Sequence, residues 1–142
     1  GEDGTGSDKD ILDLLARYGI TPSGVTLWGT GRPLREFLWS EEMADACVYI
    51  MEHVDFDDLR DETNEVRNCH INIGTGKEIA IRELAQLVAR TAGYRGTLAF
   101  DASKPDGTMR KLTDVSKLHA LGWHHRVEID EGVERMYRWY LQ

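Results

Sequence analysis

Cysteine is scarce, with two in 142 residues, and that removes most cysteine chemistry at once. Cys47 and Cys69 have no metal-ligand spacing and form no Cys-x-x-Cys pair, so neither a zinc site nor a redox dithiol is built from them. Cys47 falls on the apolar stripe of an expected helix and reads as a reduced, core-filling side chain. Cations are in deficit: 17 Lys and Arg stand against 25 Asp and Glu, a net charge of -8. A nucleic-acid or membrane-surface binder needs a broad basic face, so both classes are excluded, although a local basic pocket is not. No apolar run approaches the roughly 20 residues that cross a bilayer, and no signal-peptide pattern opens the chain. These absences fit a cytoplasmic setting. His-Glu-x-x-His and a serine nucleophile elbow are missing too. The five histidines make no catalytic constellation: His124 and His125 are adjacent, so on a strand they would face opposite ways and could not share a metal.

What is present is ordinary for a soluble domain, 41% hydrophobic and 30% charged, and long enough for a core. Gly1–Ser7 reads as a flexible lead, a tag remnant or an excision point inside a longer chain. Ile11, Leu12, Leu14, Leu15 and Tyr18 give Asp8–Tyr18 a helical period, with Ser7 or Asp8 as cap and Gly19 as stop. Thr21-Pro-Ser-Gly24 is a turn, Val25–Trp28 a strand, Gly29–Pro33 a loop and Leu34–Trp39 extended. Ser40 caps a helix whose expected buried stripe is Met43, Cys47, Ile50, Met51 and Val54. Asp55–Arg67 reads as a solvated acidic loop, without the carboxylate alternation and glycine of a hard-cation site. His70–Gly74 is expected to be a strand, and Ile81–Thr91 a helix burying Ile81, Leu84, Ala85 and Val88. That helix has Ala80 at its cap, so Glu83 lacks a capping-box partner. Thr97–Phe100 is a strand. Asp114 caps Val115–Leu121, Val127–Ile129 is extended, and Asp130 caps a last helix burying Val133, Met136, Tyr137, Tyr140 and Leu141. Alternating strands and helices make the fold class α/β, or α+β-like for an isolated piece.

Gly74-Thr-Gly76-Lys77 invites a phosphate-loop reading, but Ile79 stands where the dinucleotide fingerprint wants glycine or alanine. Ile71 and Glu78 fail the other Gly-rich pattern. A structural turn is expected there. Two other stretches carry more chemistry. Arg32 and Arg35 flank Pro33 beside Trp28 and Phe37, a set suited to a ligand joining a phosphate to a planar base. The loop Asp101–Lys111 adds Lys104, Arg110 and Lys111 as cations and Asp106 as an acceptor. Solvated surface charges, with Trp28 filling a core, are the plainer account of the same residues.

Five stretches in this order turn the balance: Trp28-Gly-Thr-Gly-Arg-Pro-Leu-Arg-Glu-Phe-Leu38, His70-Ile-Asn-Ile-Gly-Thr-Gly76, Ile81-Arg-Glu-Leu-Ala85, Phe100-Asp-Ala-Ser-Lys-Pro-Asp-Gly107 and Leu118-His-Ala-Leu-Gly-Trp123. From about Val25 to the C-terminus the chain resembles the GDP-L-fucose synthase family of extended short-chain dehydrogenase/reductases. The resemblance departs at Leu38-Trp-Ser-Glu-Glu, where Leu-[His/Tyr]-Val-Asp-Asp is commoner, and at Met109, where proline is frequent. It implies conversion of GDP-4-keto-6-deoxy-D-mannose to GDP-L-fucose, by epimerisation at C3 and C5 and then reduction of the C4 ketone with NADPH. The family's Rossmann domain binds that nucleotide and carries the Tyr-x-x-x-Lys. Here no tyrosine has that lysine: Pro22, His53, Leu98 and Leu141 stand four places after Tyr18, Tyr49, Tyr94 and Tyr137.

The resemblance therefore implies the C-terminal substrate-binding portion without the Rossmann domain. It divides the chain into a lead at 1–7, a helix and linker at 8–24 that reads as an insertion, and a substrate-binding domain at 25–142. It implies Trp28, Leu34, Arg35, Asp106 and Lys111 as GDP-sugar contacts: Arg35 and Lys111 for the pyrophosphate, Trp28 and Asp106 for the nucleoside, Leu34 as an apolar neighbour. No catalytic, cofactor or metal residue is assigned. The piece alone is expected to be inactive and to bind no NADPH, with a homodimeric parent enzyme and self-association of the isolated piece. Two rivals are a part of another nucleotide-sugar epimerase or dehydratase, and a stand-alone nucleotide-binding module.

Overall fold

The computed structural model describes residues 6–60 and 66–142. In chain order the elements are α1 (Asp8–Arg17), β1 (Ile20–Thr21), β2 (Gly24–Trp28), β3 (Leu34–Arg35), α2 (Ser40–His53) and a 3-10 turn (Phe56–Leu59). There follow β4 (Ile79–Ala80), α3 (Ile81–Thr91), β5 (Thr97–Asp101), β6 (Arg110–Lys111), α4 (Ser116–Ala120) and α5 (Ile129–Tyr140). The class is mixed α/β with small sheets. The chain forms two compact units: Gly1–Pro33 with Ala80–Arg110, and Leu34–Ile79 with Lys111–Gln142. The lead expected at 1–7 lies outside the described residues except for Gly6 and Ser7, and so do 61–65 of the acidic loop.

The first unit is built on the sheet β1-β2-β5. β1 and β2 form a hairpin across Pro22 and Ser23, with Ile20 opposite Val25 and Thr21 opposite Gly24. β5 runs parallel to β2, from Gly24 opposite Thr97 to Trp28 opposite Asp101. A parallel pair needs a long crossover, and α3 lies within it. α1 starts on a reciprocal cap: the Ser7 hydroxyl accepts from Asp10 N at 3.3 Å, and the Asp10 carboxylate from Ser7 N at 3.1 Å. None of its residues is buried, so its apolar stripe is more open than the period suggests.

α3 shows how a helix starts without a capping side chain. Ile81 N donates to Pro33 O at 3.0 Å and Arg82 N to Gly31 O at 2.9 Å. Glu83 accepts from Ala80 N at 3.2 Å, the half of a capping box that needs no serine. The backbone of the preceding loop does the rest. The expected stripe of Ile81, Leu84, Ala85 and Val88 does not close into a core. It lines an open apolar groove of about 490 Å³ with Val25, Leu27, Tyr94 and Leu98, and the residue of α3 that is buried is Leu87.

In the second unit β3 is the middle strand, flanked by the strands that carry Ile79 and Lys111. The core is Ala46, Leu118 and Trp123, with Leu38, Tyr49, Ile50, Ile71 and Ile73 packed on it. The expected face of α2 is corrected: Met43, Cys47 and Met51 are exposed, and Glu42 and Ala46 are buried. Glu42 is inside with its Oε1 accepting from the N–H groups of Arg126 and Val127, while its Oε2 is buried without a hydrogen-bond partner. Cys47 is therefore not a core filler. His70–Gly74 forms no strand. The segment is held by side chains instead: Asn72 Nδ2 donates to Asp114 O at 3.1 Å and Lys117 Nζ to His70 O at 3.1 Å, while Ile71 and Ile73 pack on the core. Trp39 rather than Ser40 occupies the cap of α2, and Glu128 rather than Asp130 that of α5. Met136, Tyr140 and Leu141 on α5 are exposed.

Candidate functional site

The expected ligand residues fall into two groups. Trp28 and Asp106 belong to the first unit, and Leu34, Arg35 and Lys111 to the second.

In the first unit, Trp28 ends β2 with 72% of its surface open, so it does not fill a core. Lys104 Nζ lies 5.5 Å from its ring centroid, a cation–π contact over one face. Trp28 is an open aromatic platform at the mouth of the loop Gly29–Pro33. Asp106 has a more structural role than an acceptor waiting for a ligand. Its Oδ1 accepts from Thr30 N at 2.6 Å and its Oδ2 from Thr30 Oγ1 at 2.7 Å, which ties the two loops together. The Thr30 N–H and hydroxyl, aided by the charge of Arg32, hold the Asp106 carboxyl below its usual range against a small opposing effect of burial.

Gly29 makes that tie possible. It has φ +83, and a Cβ there would stand 2.4 Å from Asp106 Oδ1. Gly29→Ala is expected to cost about 1–2 kcal/mol from its left-handed backbone alone and to expel the carboxylate from Thr30. The Thr30 amide then loses its downfield NMR shift. In the wild type the tie is complete above about pH 4, the ordinary aspartate value. Because the folded value is lowered, the tie is lost only as pH falls further. A Thr30 shift already changing between pH 7 and 5 would contradict this.

In the second unit, β3 places Leu34 and Arg35 beside the strand carrying Lys111. Arg35 is half-buried, and its Nη1 donates to Leu34 O at 2.7 Å. It lines a cavity of about 210 Å³ with Phe37, Thr75, Lys77, Ile79 and Glu128. Lys77 is paired with Glu128 across this cavity. Lys111 is exposed.

The Gly-Thr-Gly turn is occupied from within the protein. Thr75 N and Gly76 N both donate to Glu36 Oε1 at 2.7 Å, and Lys77 N donates to Thr75 Oγ1 at 3.1 Å. A Cβ on Gly74 would lie 2.6 Å from Glu36 Oε1, so glycine is needed for the carboxylate to approach. The amides that would cradle a phosphate are taken, and the turn does not fit the pyrophosphate of a dinucleotide. Glu36 is the residue that sequence reasoning missed. Nothing in its neighbourhood marked it except its place between Arg35 and Phe37.

The histidines offer no rival centre. The His119 and His124 rings lie with centroids 4.2 Å apart, tilted by 31°. Burial, then the charges of His124 and His125, lower the His119 pKa. Among the described residues no group of three or more His, Cys, Asp and Glu could hold a metal ion, and no helix is long and apolar enough to cross a membrane.

Comparison with known proteins gives a consistent pattern. The model of the NAD dependent epimerase/dehydratase family matches residues 2–74. The GDP-L-fucose synthase of Escherichia coli (strain K12) is 47% identical over 118 residues, 83% of this chain and 36% of that protein. GDP-L-fucose synthase 1 of Arabidopsis thaliana is also 47% identical, over 83% of this chain and 33% of its own length. Among solved structures, a GDP-6-OMe-4-keto-L-xylo-heptose reductase from C. jejuni is 40% identical with a TM-score of 0.91, covering 97% of this chain and 39% of that one. The chain thus spans about a third of the length of the curated relatives it matches.

Proposed function

We propose that this chain, which belongs to the NAD dependent epimerase/dehydratase family, is the GDP-sugar-binding part of a GDP-L-fucose synthase. The observation that carries the reading is the 47% identity to the E. coli enzyme over 118 residues, a stretch long enough to include all the expected contacts. In this reading Arg35 and Lys111 neutralise the pyrophosphate, Arg35 by a planar fork and Lys111 as a point charge. Trp28 offers its open face to the base, Leu34 adds an apolar neighbour, and Asp106 shapes the loop beside Trp28 while keeping lone pairs for a nucleoside donor. The whole enzyme makes GDP-L-fucose from GDP-4-keto-6-deoxy-D-mannose by epimerisation at C3 and C5 and reduction at C4. NADPH supplies the hydride in that reaction and binds the Rossmann portion, in keeping with the occupied amides of the Gly-Thr-Gly turn. A cytoplasmic, homodimeric parent enzyme completes the proposal.

A second reading is a GDP-heptose C4-reductase, favoured by the TM-score of 0.91 to the C. jejuni reductase. Both readings require a guanine nucleotide. In calorimetric competition the chain is expected to prefer GDP over UDP and dTDP by at least about tenfold and to show no heat with NADPH. Tenfold is the discrimination that about 1.4 kcal/mol provides. Equal affinity for the three diphosphates would remove both readings and leave a generic nucleotide-sugar enzyme or a binding module.

A further inference from the structure

Glu36 is an acidic side chain directly beside an arginine expected to bind a pyrophosphate, where a free carboxylate would repel the ligand. Its hydrogen bonds explain why it is tolerated. Oε1 accepts from Thr75 N and Gly76 N at 2.7 Å and from Thr75 Oγ1 at 3.2 Å, and Oε2 accepts from Thr113 N at 3.1 Å. Burial pushes its pKa up, but the Thr113 side chain and the N–H groups of Gly76, Thr113 and Thr75 outweigh it and hold the group below the usual carboxylate range. Glu36 is thus ionised, and its charge is spread over fixed dipoles of the protein.

The partners are in informative places. Arg35 and Phe37 both line the cavity of the second unit, and Glu36 between them does not, as alternation along an extended chain requires. Thr113 lies two residues beyond Lys111, and Gly76 precedes Lys77. One carboxylate therefore joins three segments that each carry a cation: β3 with Arg35, the turn before Lys77, and the exit from β6 with Lys111.

We propose that Glu36 is the positioning residue of the anion site, setting the separation of Arg35 and Lys111 without touching the ligand. This rests on the GDP-sugar reading above. Glu36→Gln keeps the shape, but an amide turns an N–H donor toward either Thr113 N or the turn amides, so one side of the clamp opens. GDP Kd is expected to rise about tenfold, the loss of one charge-assisted hydrogen bond. The slope of log Kd against log salt becomes shallower as one cation loses its contact. A double-mutant cycle separates positioning from plain stability: in a Lys111→Ala background Glu36→Gln has much less effect on Kd.

An unchanged Kd and salt slope in Glu36→Gln, measured well below its melting temperature, would overturn the inference, as would full additivity with Lys111→Ala. If the wild-type chain binds no GDP, the functional reading fails instead. Positioning is then decided by NMR: Glu36→Gln must lower hydrogen-exchange protection at Thr75, Gly76 and Thr113 and shift the Arg35 and Lys111 resonances. Unmoved Arg35 and Lys111 resonances would end it.

Discussion

Replacing Arg35 and Lys111 together by alanine is expected to raise the Kd for GDP about 100-fold, from two lost charge-assisted hydrogen-bonding groups at about 1.5–3 kcal/mol each with incomplete additivity. The two losses are unequal in kind. Arg35 is half-buried and pre-oriented by its 2.7 Å bond to Leu34 O, so little side-chain freedom is lost when it meets a phosphate. Lys111 is exposed on the neighbouring strand and acts through a solvated, screened charge. The Arg35→Ala variant should therefore carry most of the effect at 0.15 M salt, and the Lys111→Ala effect should shrink as salt rises. Arg35→Lys is expected to recover the charge but only part of the affinity, since a point charge cannot make the bidentate fork. Calorimetric titration of the four proteins checks this. A double variant within threefold of the wild type would remove the pyrophosphate from these two residues.

The largest effect on stability is expected at Trp123. It is 3% exposed and packs with Leu118 and Ala46, both fully buried. Its Nε1–H donates to Asp45 Oδ2 at 2.8 Å. Trp123→Ala is expected to cost about 3–5 kcal/mol, mostly as a cavity in a small core that has few large side chains to collapse into it. Asp45 adds little, because its Oδ2 keeps Arg126 Nη2 at 3.3 Å and its side chain is half exposed, so water replaces the indole. Trp123→Phe separates the two contributions, keeping an aromatic body and removing only the N–H. Urea unfolding with a shared m-value measures both variants. A loss below about 1 kcal/mol for the alanine variant would show that this cluster is not the core of the second unit.

Much of the layout was legible in the residues. The β-branched and aromatic runs at Val25–Trp28 and Thr97–Phe100 are strands, and Ser7 caps its helix through the Asp10 partner that a capping box calls for. At Gly74-Thr-Gly76 the residues favoured a structural turn, and its Thr75 and Gly76 amides are bonded to Glu36. Several readings failed for tertiary reasons, and one gap that the sequence showed correctly was filled by tertiary contacts. The helical period of α2 marks several apolar residues but not which arc meets the core. Backbone N–H groups of Arg126 and Val127, distant in sequence, drew Glu42 inside and left Met43, Cys47 and Met51 outside. His70–Gly74 has the composition of a strand, but composition does not supply a ladder partner. The missing cap of α3 was met by carbonyls of Gly31 and Pro33, groups that every residue carries and no pattern search sees.

The sequence by itself determined which chemical groups the protein holds: arginine and lysine side chains near a tryptophan, two cysteines without metal-ligand spacing, and five motifs in family order. It could do so because these depend on side-chain type and local spacing. Only the tertiary structure decided how those groups are held. Asp106 ties its loop to Thr30, and Glu36 gathers the turn at Thr75 and Gly76 with Thr113. Those bonds span tens of residues and use backbone N–H groups common to every sequence, so they exist only once folding has brought the segments within 3 Å or so of one another.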